Sequence, residues 1–589
     1  MKSDVSFFKI LSTIFPIAYK SAKKFFLFWL LISIMHGVSY GVNTLMFAWF
    51  FDSVGRAVTQ QSGLLMPIIS AVLLGASLIS SRILWSVQNF MNNSFGPIAD
   101  GYMNAIINKK AGNLDPITFE DPEALDNINK GMQGGRNSLH FVVTFTSLLT
   151  FYLPYFIFMG FFLFFLQPSL ILALLVIFTP ALLNQIIRVK IFTKLENKSA
   201  PLRRETEYYR SCITSRELYK ETRLLGAFSY FKKLFSISQD KLLSESWRAE
   251  RKSGLLELLM QLITLAGYFA VLLMLVRSLM NGGISVGSFA AVFTSIGTMF
   301  SMMRQVVNYH IGNMSSKVGT IRNIIRYLNL PEKSGTETEF DLDKGLTIEN
   351  VSFTYPKSDK PSVKNLNMKI NPKETIAIVG VNGAGKSTFM KLLKGLYTPT
   401  EGSIKFGKTE TKDISASVIY SDISAVFQNY GQYKLTLCEN IQLSDMESGD
   451  TDVETPAKNA DVEMDSETYP EGMDTILSKE FDGVDISGGQ WQRVAIARGL
   501  YRKHSLIVLD EPTSAIDPVE ETRLYHKFAE ISKDVISIIV THRLGSARIA
   551  DRIVVMDDGE IVEIGSHESL LDKKGKYAEL WEAQAQYYI

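Results

Sequence analysis

The 589-residue sequence predicts an α-helical membrane domain joined to an α/β domain of the P-loop type, on three observations. Six runs of apolar residues in the first half each approach the roughly 20 residues that cross ~30 Å of hydrocarbon. In the second half an apolar strand, TIAIVG, leads through the glycine-rich turn GVNGAGKST into a helical pattern, FMKLLKGL. The third observation is charge: residues 1–335 carry 33 Lys and Arg against 18 Asp and Glu, whereas residues 336–589 carry 28 against 42. A basic half is compatible with nucleic acid, but here the charges punctuate apolar runs, which reads as membrane topology and leaves no nucleic-acid partner. A chain of this length exceeds one ordinary core, so at least two domains are expected.

The first 24 residues predict an interfacial helix, with Phe7, Leu11, Ile14 and Ile17 or Ala18 at helical spacing among Lys9, Lys20, Lys23 and Lys24. The apolar stretch that follows is too long for a secretory signal and lacks a small-residue cleavage site, so the segment is expected to be retained. Residues 25–330 form the membrane domain, with spans near Phe25–Phe51, Leu64–Trp85, Leu139–Phe162, Leu170–Ile187, Leu255–Leu279 and Ile284–Met303. The linkers Asp52–Ser62, Gln167–Ser169 and Asn281–Gly283 are short. Those on the other side are long and basic, which places them and both termini in the cytoplasm by the positive-inside rule. Within them, Asn113–Asn127 and Glu207–Arg223 read as helix, short transverse helix, helix again. Such extensions are suited to meeting a soluble partner. Cys212 and Cys438 have neither disulfide nor metal-ligand spacing.

Polar residues inside a span draw attention because each is costly in hydrocarbon. Arg82 and Arg304 lie at helix ends and snorkel. His36 lies roughly 16 Å along the first span at 1.5 Å per residue, with Tyr40 and Asn43 following on one face. That stripe is compatible with a lined substrate cavity and equally with interhelical hydrogen bonding.

Residues 331–345 are polar and read as a linker to the soluble domain, 346–589. Its strand candidates are 346–355, 375–380, 505–510 and 535–540, which predict a largely parallel sheet. In the turn, Gly380, Asn382, Gly383, Ala384 and Gly385 leave bare backbone N–H groups at a helix start, Lys386 supplies charge to the β- and γ-phosphates, and Ser387, followed by Thr388, offers a hydroxyl to Mg²⁺. The strand SLIVLD delivers Asp510 for Mg²⁺ and Glu511 to polarise a water, as phosphoryl transfer to water requires. After another strand, His542 is positioned to contact the γ-phosphate. Upstream, Ser487, Gly488, Gly489 and Gln490 form a second helix N-terminus able to hold an anion.

GVNGAGKST, VFQNY, ISGGQWQR, SLIVLDEPTSAID and VTHR occur in the order found in ATP-binding cassette proteins. The whole chain resembles an exporter-type half-transporter of that family, six membrane helices of the type I exporter layout fused to one nucleotide-binding domain. The resemblance implies ATP and Mg²⁺ as cofactors, with Tyr355 stacking on adenine, Gln428 in the Mg²⁺ and water shell, and Ser514–Asp517 forming the loop between two sites. It also implies that ISGGQ completes the ATP site of the opposite subunit. Two chains are then needed, and since Glu511, His542 and the signature are intact, a homodimer is favoured over a heterodimer.

Ile486 replaces the usual Leu, Trp491 stands where a polar residue is commoner, and SKEFDGVD resembles the variant of some bacterial peptide exporters, so a bacterial plasma membrane is expected. No peptidase domain precedes the first span, and leader cleavage is expected elsewhere. The cargo expected is a peptide or other amphipathic small molecule. A lipid or drug is the alternative within this fold, and an ATP-gated or signalling membrane protein is the alternative of another class.

Overall fold

The computed structural model describes residues 6–586 apart from 62, 216, 334, 337, 448, 450, 512–517 and 532. Residues 514–517, and Asp517 with them, therefore lie outside the described residues. By contacts the chain divides into Met1–Lys110 with Asn127–Asn329, and Ala111–Asp126 with Leu330–Ile589.

The first unit is helical. Helix α1 (Phe7–Ser21) starts at Ser6, whose hydroxyl accepts from the Lys9 amide. It buries Ile10, Ile14 and Ala18, and Phe7 packs edge-on to Phe141 at 5.9 Å. Ile14 and Ala18 of the expected face are buried, but Ile10 joins them while Phe7 stays largely exposed, because α1 docks on other helices of its own chain.

Then come α2 (Lys23–Gln60), α3 (Leu65–Asn113), α4 (Pro122–Ser147) and α5 (Leu153–Leu166). They are followed by α6 (Pro168–Thr214), the short α7 (Tyr219–Leu224), α8 (Phe228–Met280), α9 (Val286–Arg304) and α10 (Gly312–Leu328). Among the described residues six helical stretches are long and apolar enough to cross a membrane. With 49 residues in α3 and 53 in α8, the longest run roughly 70–80 Å at 1.5 Å per residue, well beyond the hydrocarbon. The charged residues of the expected basic loops are helix formers, and no breaker stops them until Asp115-Pro116 and Ser215. At the first, the Asp115 carboxylate accepts from the Ile117 amide and the chain makes one 3₁₀ turn, Pro116–Glu120.

Two features of this unit depart from the sequence reading. Asp52–Ser62 is mostly helix, since α2 continues to Gln60. Asp52 is a cap rather than a loop charge: its carboxylate accepts from the Gly287 amide at 2.7 Å and the Ser285 hydroxyl at 2.8 Å, at the start of α9. The chain also widens into two π-helical turns, Leu148–Tyr152 between α4 and α5 and Gln305–Ile311 between α9 and α10. Close helix crossings rest on small residues: a methyl group on Gly37 would lie 2.3 Å from the Phe151 carbonyl oxygen, and one on Gly287 would lie 2.1 Å from that of Ala48.

The second unit holds two sheets. Strands β1 (Leu346–Phe353), β2 (Val363–Ile370), β4 (Glu401–Phe406) and β5 (Thr409–Glu410) make an antiparallel sheet in the order β2-β1-β4-β5. Strand β1, expected in the parallel sheet, belongs here. The larger sheet runs β10-β9-β3-β8-β7-β6, from β3 (Thr375–Gly380), β6 (Ile423–Val426), β7 (Leu506–Asp510), β8 (Ile536–Val540), β9 (Arg552–Asp557) and β10 (Glu560–Gly565). All its pairings are parallel except β9 with β10.

Both faces of this sheet are covered, which is why its strands read as unbroken apolar runs. Leu506 and Val508 of β7 enter a core shared with the antiparallel sheet. Ile507 and Leu509 enter another, with Leu437, Ala457 and Trp491. Trp491, unusual for its position, is 6% exposed and fills that second core.

Candidate functional site

In parallel register the carboxyl ends of neighbouring strands come together, and crevices there bind ligands at points where the strand order switches. Strand β3 lies between β8 and β9, and its last residue, Gly380, pairs with Met556 of β9, while Asp510 of β7 pairs with Val540 of β8. The glycine-rich turn, the two carboxylates and His542 therefore issue from adjacent strand ends.

Ser358, Lys360, Pro361 and Ser362 form one wall of a cavity of about 530 Å³, and Asn382, Gly383 and the 385–388 segment form its floor. Gln428, Glu511, His542, Asp558 and Gly559 close it. Gly385 (φ +91°) precedes α11 (Lys386–Leu393), and a methyl group there would meet the Ser362 carbonyl oxygen at 2.6 Å. Only glycine fits. Ala384 beside it is buried at 2% exposure. Lys386 donates to the carbonyls of Gly380 (2.8 Å) and Val381 (3.0 Å). Burial draws its ammonium below the usual lysine range, against the pull of Glu511 and Asp510.

Glu511 is a non-glycine residue at φ +48°, with its amide donating to Val540 at 3.0 Å. One carboxylate oxygen accepts from Gln428 Nε2 at 2.7 Å and the other meets His542 Nε2. Three residues singled out at distant sequence positions thus share one carboxylate. Tyr355 stands beside the cavity: its hydroxyl lies 3.2 Å from the Thr388 hydroxyl, and its ring meets Phe353 and Tyr397 edge-on.

Ser487 caps α12 (Gly488–Tyr501): its hydroxyl accepts from the Gln490 amide while Gln490 Oε1 accepts from the Ser487 amide at 2.8 Å. A methyl group on Gly488 would meet nothing within 4 Å, so that helix start is open to a ligand. Tyr430, two residues beyond Gln428, donates to the Gly488 carbonyl at 2.7 Å. The sequence reading missed this tie, because nothing in spacing marks a tyrosine whose partner lies in another motif.

Among the described residues no three His, Cys, Asp or Glu side chains converge as a metal site. The residues expected to hold Mg²⁺ would instead offer a hydroxyl (Ser387), an amide carbonyl (Gln428, whose nitrogen faces Glu511) and one carboxylate (Asp510). Those are hard oxygen ligands that leave positions for phosphate, and they fit that cation.

The membrane unit contains a cavity of about 350 Å³. His36 and Tyr40 line it, as does Gln88, which accepts from His36 Nδ1. Asn43 is not among the lining residues. Its amide is committed to the Ser81 hydroxyl at 2.9 Å and to Ser77, so it joins α2 to α3. The opposite wall comes from the two π-helical turns, through Phe151, Tyr152, Gln305 and His310. Those residues carried no sequence mark, since a π turn has no periodic pattern of its own.

Residues 363–514 match the ABC transporter family. The subtilin transport ATP-binding protein SpaT of Bacillus subtilis is 29% identical over 530 residues, covering 87% of this chain and 84% of that protein. The nisin transport ATP-binding protein NisT of Lactococcus lactis subsp. lactis is 32% identical over 389 residues, 64% of each chain. An ATP-dependent lipid A-core flippase of Photobacterium profundum is 32% identical over 334 residues, 55% of each. In fold, the chain is similar to a bacterial Atm1-family ABC exporter with ATP bound, at a TM-score of 0.77 and 21% identity, covering 95% of this chain and 99% of that one.

Proposed function

The chain is an ABC transporter with an exporter fold, an ATP-binding, multi-pass membrane ATPase, and from that premise we propose that it exports an amphipathic peptide as a homodimer. The observation that carries the cargo is the length of the match to SpaT, 84% of a protein named for subtilin transport, which includes the membrane helices. The lipid A-core flippase match covers 55% of that relative and is the basis for the second reading, lipid translocation.

In the proposed cycle Lys386 leaves the Gly380 and Val381 carbonyls for the β- and γ-phosphates, which outcompete neutral acceptors for an ammonium. The 383–388 amides cradle the phosphates and Tyr355 stacks on adenine. Ser387, Gln428 and Asp510 would hold Mg²⁺, which neutralises phosphate charge. Glu511 takes the proton of the attacking water, and His542, released from Glu511, turns to the γ-phosphate. Ser487, Gly488, Gly489 and Gln490 face the nucleotide of the other subunit, and Asp517 lies in the loop joining the two sites. Both termini and the long helical extensions are cytoplasmic, as the basic residues on that side favour.

The test is ATP-dependent accumulation in inverted vesicles containing the purified chain, offered peptides, lipids and drugs. Accumulation of a peptide is the expected result. Accumulation of lipid alone favours the second reading, and absence of any gradient despite ATP turnover identifies a gated or signalling protein.

A further inference from the structure

The segment Asn113–Asn127 meets the nucleotide-binding domain of its own chain around Tyr355. Its 3₁₀ turn, Pro116–Glu120, belongs to the second unit, where Ile117 packs on the core that Tyr355 also borders. With the turn anchored there, two successive carboxylates, Glu120 and Asp121, each take a lysine of that domain.

Glu120 Oε1 accepts from Lys391 Nζ at 2.9 Å and also from the Tyr397 hydroxyl. Lys391 Nζ stands over two rings, 5.6 Å from the centre of Tyr355 and 5.1 Å from that of Tyr397. A cation within about 6 Å of a tyrosine ring is attracted to it, so one ammonium ties both rings to the turn. The hydroxyl of Tyr397 and the ammonium of Lys391 hold the Glu120 carboxyl below its usual range, which keeps it charged.

Asp121 acts two residues past Tyr355. The Ser358 amide donates to the Tyr355 carbonyl at 3.0 Å and closes a turn through Pro356 and Lys357. Lys357 adopts φ +63°, a left-handed conformation that costs a side chain other than glycine's and is kept only where the surroundings hold it. Here Asp121 Oδ1 accepts from Lys357 Nζ at 2.6 Å, and a Glu123 carboxylate oxygen stands 3.7 Å from the same ammonium. Tyr355 is thus gripped through a lysine near its ring and a lysine in the turn its backbone enters.

We propose that Glu120 and Asp121 are positioning residues for the base of ATP, holding Lys391 and Lys357 so that Tyr355 stays where it stacks on adenine. This rests on the reading of Tyr355 as the adenine platform. It adds that two carboxylates on the turn between α3 and α4 set the affinity for the base. Among the described residues lining the cavity of the phosphate cradle, neither Glu120 nor Asp121 is present, so the phosphates are held without them.

The test uses the full chain in nanodiscs, Mg²⁺ and two probes: the β,γ-imido analogue of ATP, which carries the base, and tripolyphosphate, which lacks it. For Glu120→Gln combined with Asp121→Asn, calorimetry is expected to show the analogue bound about fivefold more weakly and tripolyphosphate bound as by the parent. Glu120→Asp combined with Asp121→Glu keeps both charges and should recover most of the difference. A fall in affinity for both probes alike is what a merely structural role would give, and it overturns the proposal, as does unchanged affinity for the analogue. The Glu120 and Asp121 side chains are 36% and 30% exposed, so their loss leaves no buried gap; should the double variant still not fold, Asp121→Asn alone carries the same comparison. Tyr355→Ala separates the two readings. If it binds the analogue as tightly as the parent does, adenine stacking on Tyr355 itself fails, whereas a loss there with none in the carboxylate variant sinks this inference alone.

Discussion

Glu511 keeps a left-handed backbone conformation that costs an L-residue about 1–3 kcal/mol, and the amide bond to Val540 on the next strand holds it there. The strain aims the carboxylate between Gln428 and His542. Glu511→Gln preserves the shape and removes the base, so ATP binding should persist while turnover falls on the order of 10²-fold or more. Nucleotide trapping alongside phosphate release measures both, and near-normal release rejects the role.

Lys394, which caps the C-terminal end of α11, is a second residue whose surroundings make a prediction. It is 4% exposed beneath the Phe427 ring at 4.2 Å, and burial pulls its pKa down to about 8 against the attraction of Asp510. Below pH 8 the folded state must keep an ammonium out of water, which the unfolded state does not. Between pH 8 and 10.5 the unfolded chain binds the extra proton, so stability rises with pH across that window. Lys394→Met should therefore stabilise the protein near pH 7, by up to ~3 kcal/mol for a shift of this size. That advantage should shrink as the pH passes 8. Thermal melting of the full chain and the variant from pH 7 to 10 checks it, and a constant difference refutes it.

The residues legible in the sequence were those whose chemistry dictates residue type at fixed spacing: Gly383, Gly385 and Lys386 at a helix start, carboxylates at a strand end, and Ser487 with its glycines at a second helix start. Gln88, His310 and Tyr430 were not legible, because their role comes from the partner that packing delivers.

At the scale of elements, spans were readable from apolar length, but their ends were not. A charged helix former on a helical extension looks the same in sequence as one in a loop, so α3 and α8 run far past the expected boundaries. The π turns were invisible for a related reason: one extra residue in a turn changes which face a side chain occupies without altering composition. The placement of the first, Leu148–Tyr152, depends on how closely α2 approaches, which Gly37 controls. Gly37→Ala puts a methyl group 2.3 Å from the Phe151 carbonyl oxygen, whereas Gly75→Ala meets nothing within 4 Å. The first substitution should destabilise the protein by about 1–3 kcal/mol and lose peptide-stimulated ATPase activity as Phe151 moves. Gly75→Ala should match the parent in both. Equal melting and equal stimulation for the two variants would show that the crossing does not set the cavity.

At the scale of the whole molecule, one chain carries a phosphate cradle and an open signature-helix start, and the homodimer reading assigns these to different sites. Complementation separates that arrangement from a self-sufficient chain. Lys386→Ala disables the cradle and Ser487→Arg blocks the signature, and each variant alone should be inactive. In a mixed dimer both lesions fall on the same composite site, because the damaged cradle of one chain faces the damaged signature of the other. The second site is then built from two intact halves. Random pairing makes half the dimers mixed, each with one sound site of two, so co-expression should restore about a quarter of normal ATPase activity if the sites act independently. If cradle and signature served one site within each chain, every site in the mixture would carry one lesion and no activity would return. Measuring ATP hydrolysis by the co-purified pair, with each variant tagged differently so that only mixed dimers are assayed, gives about half of normal in the first case and none in the second.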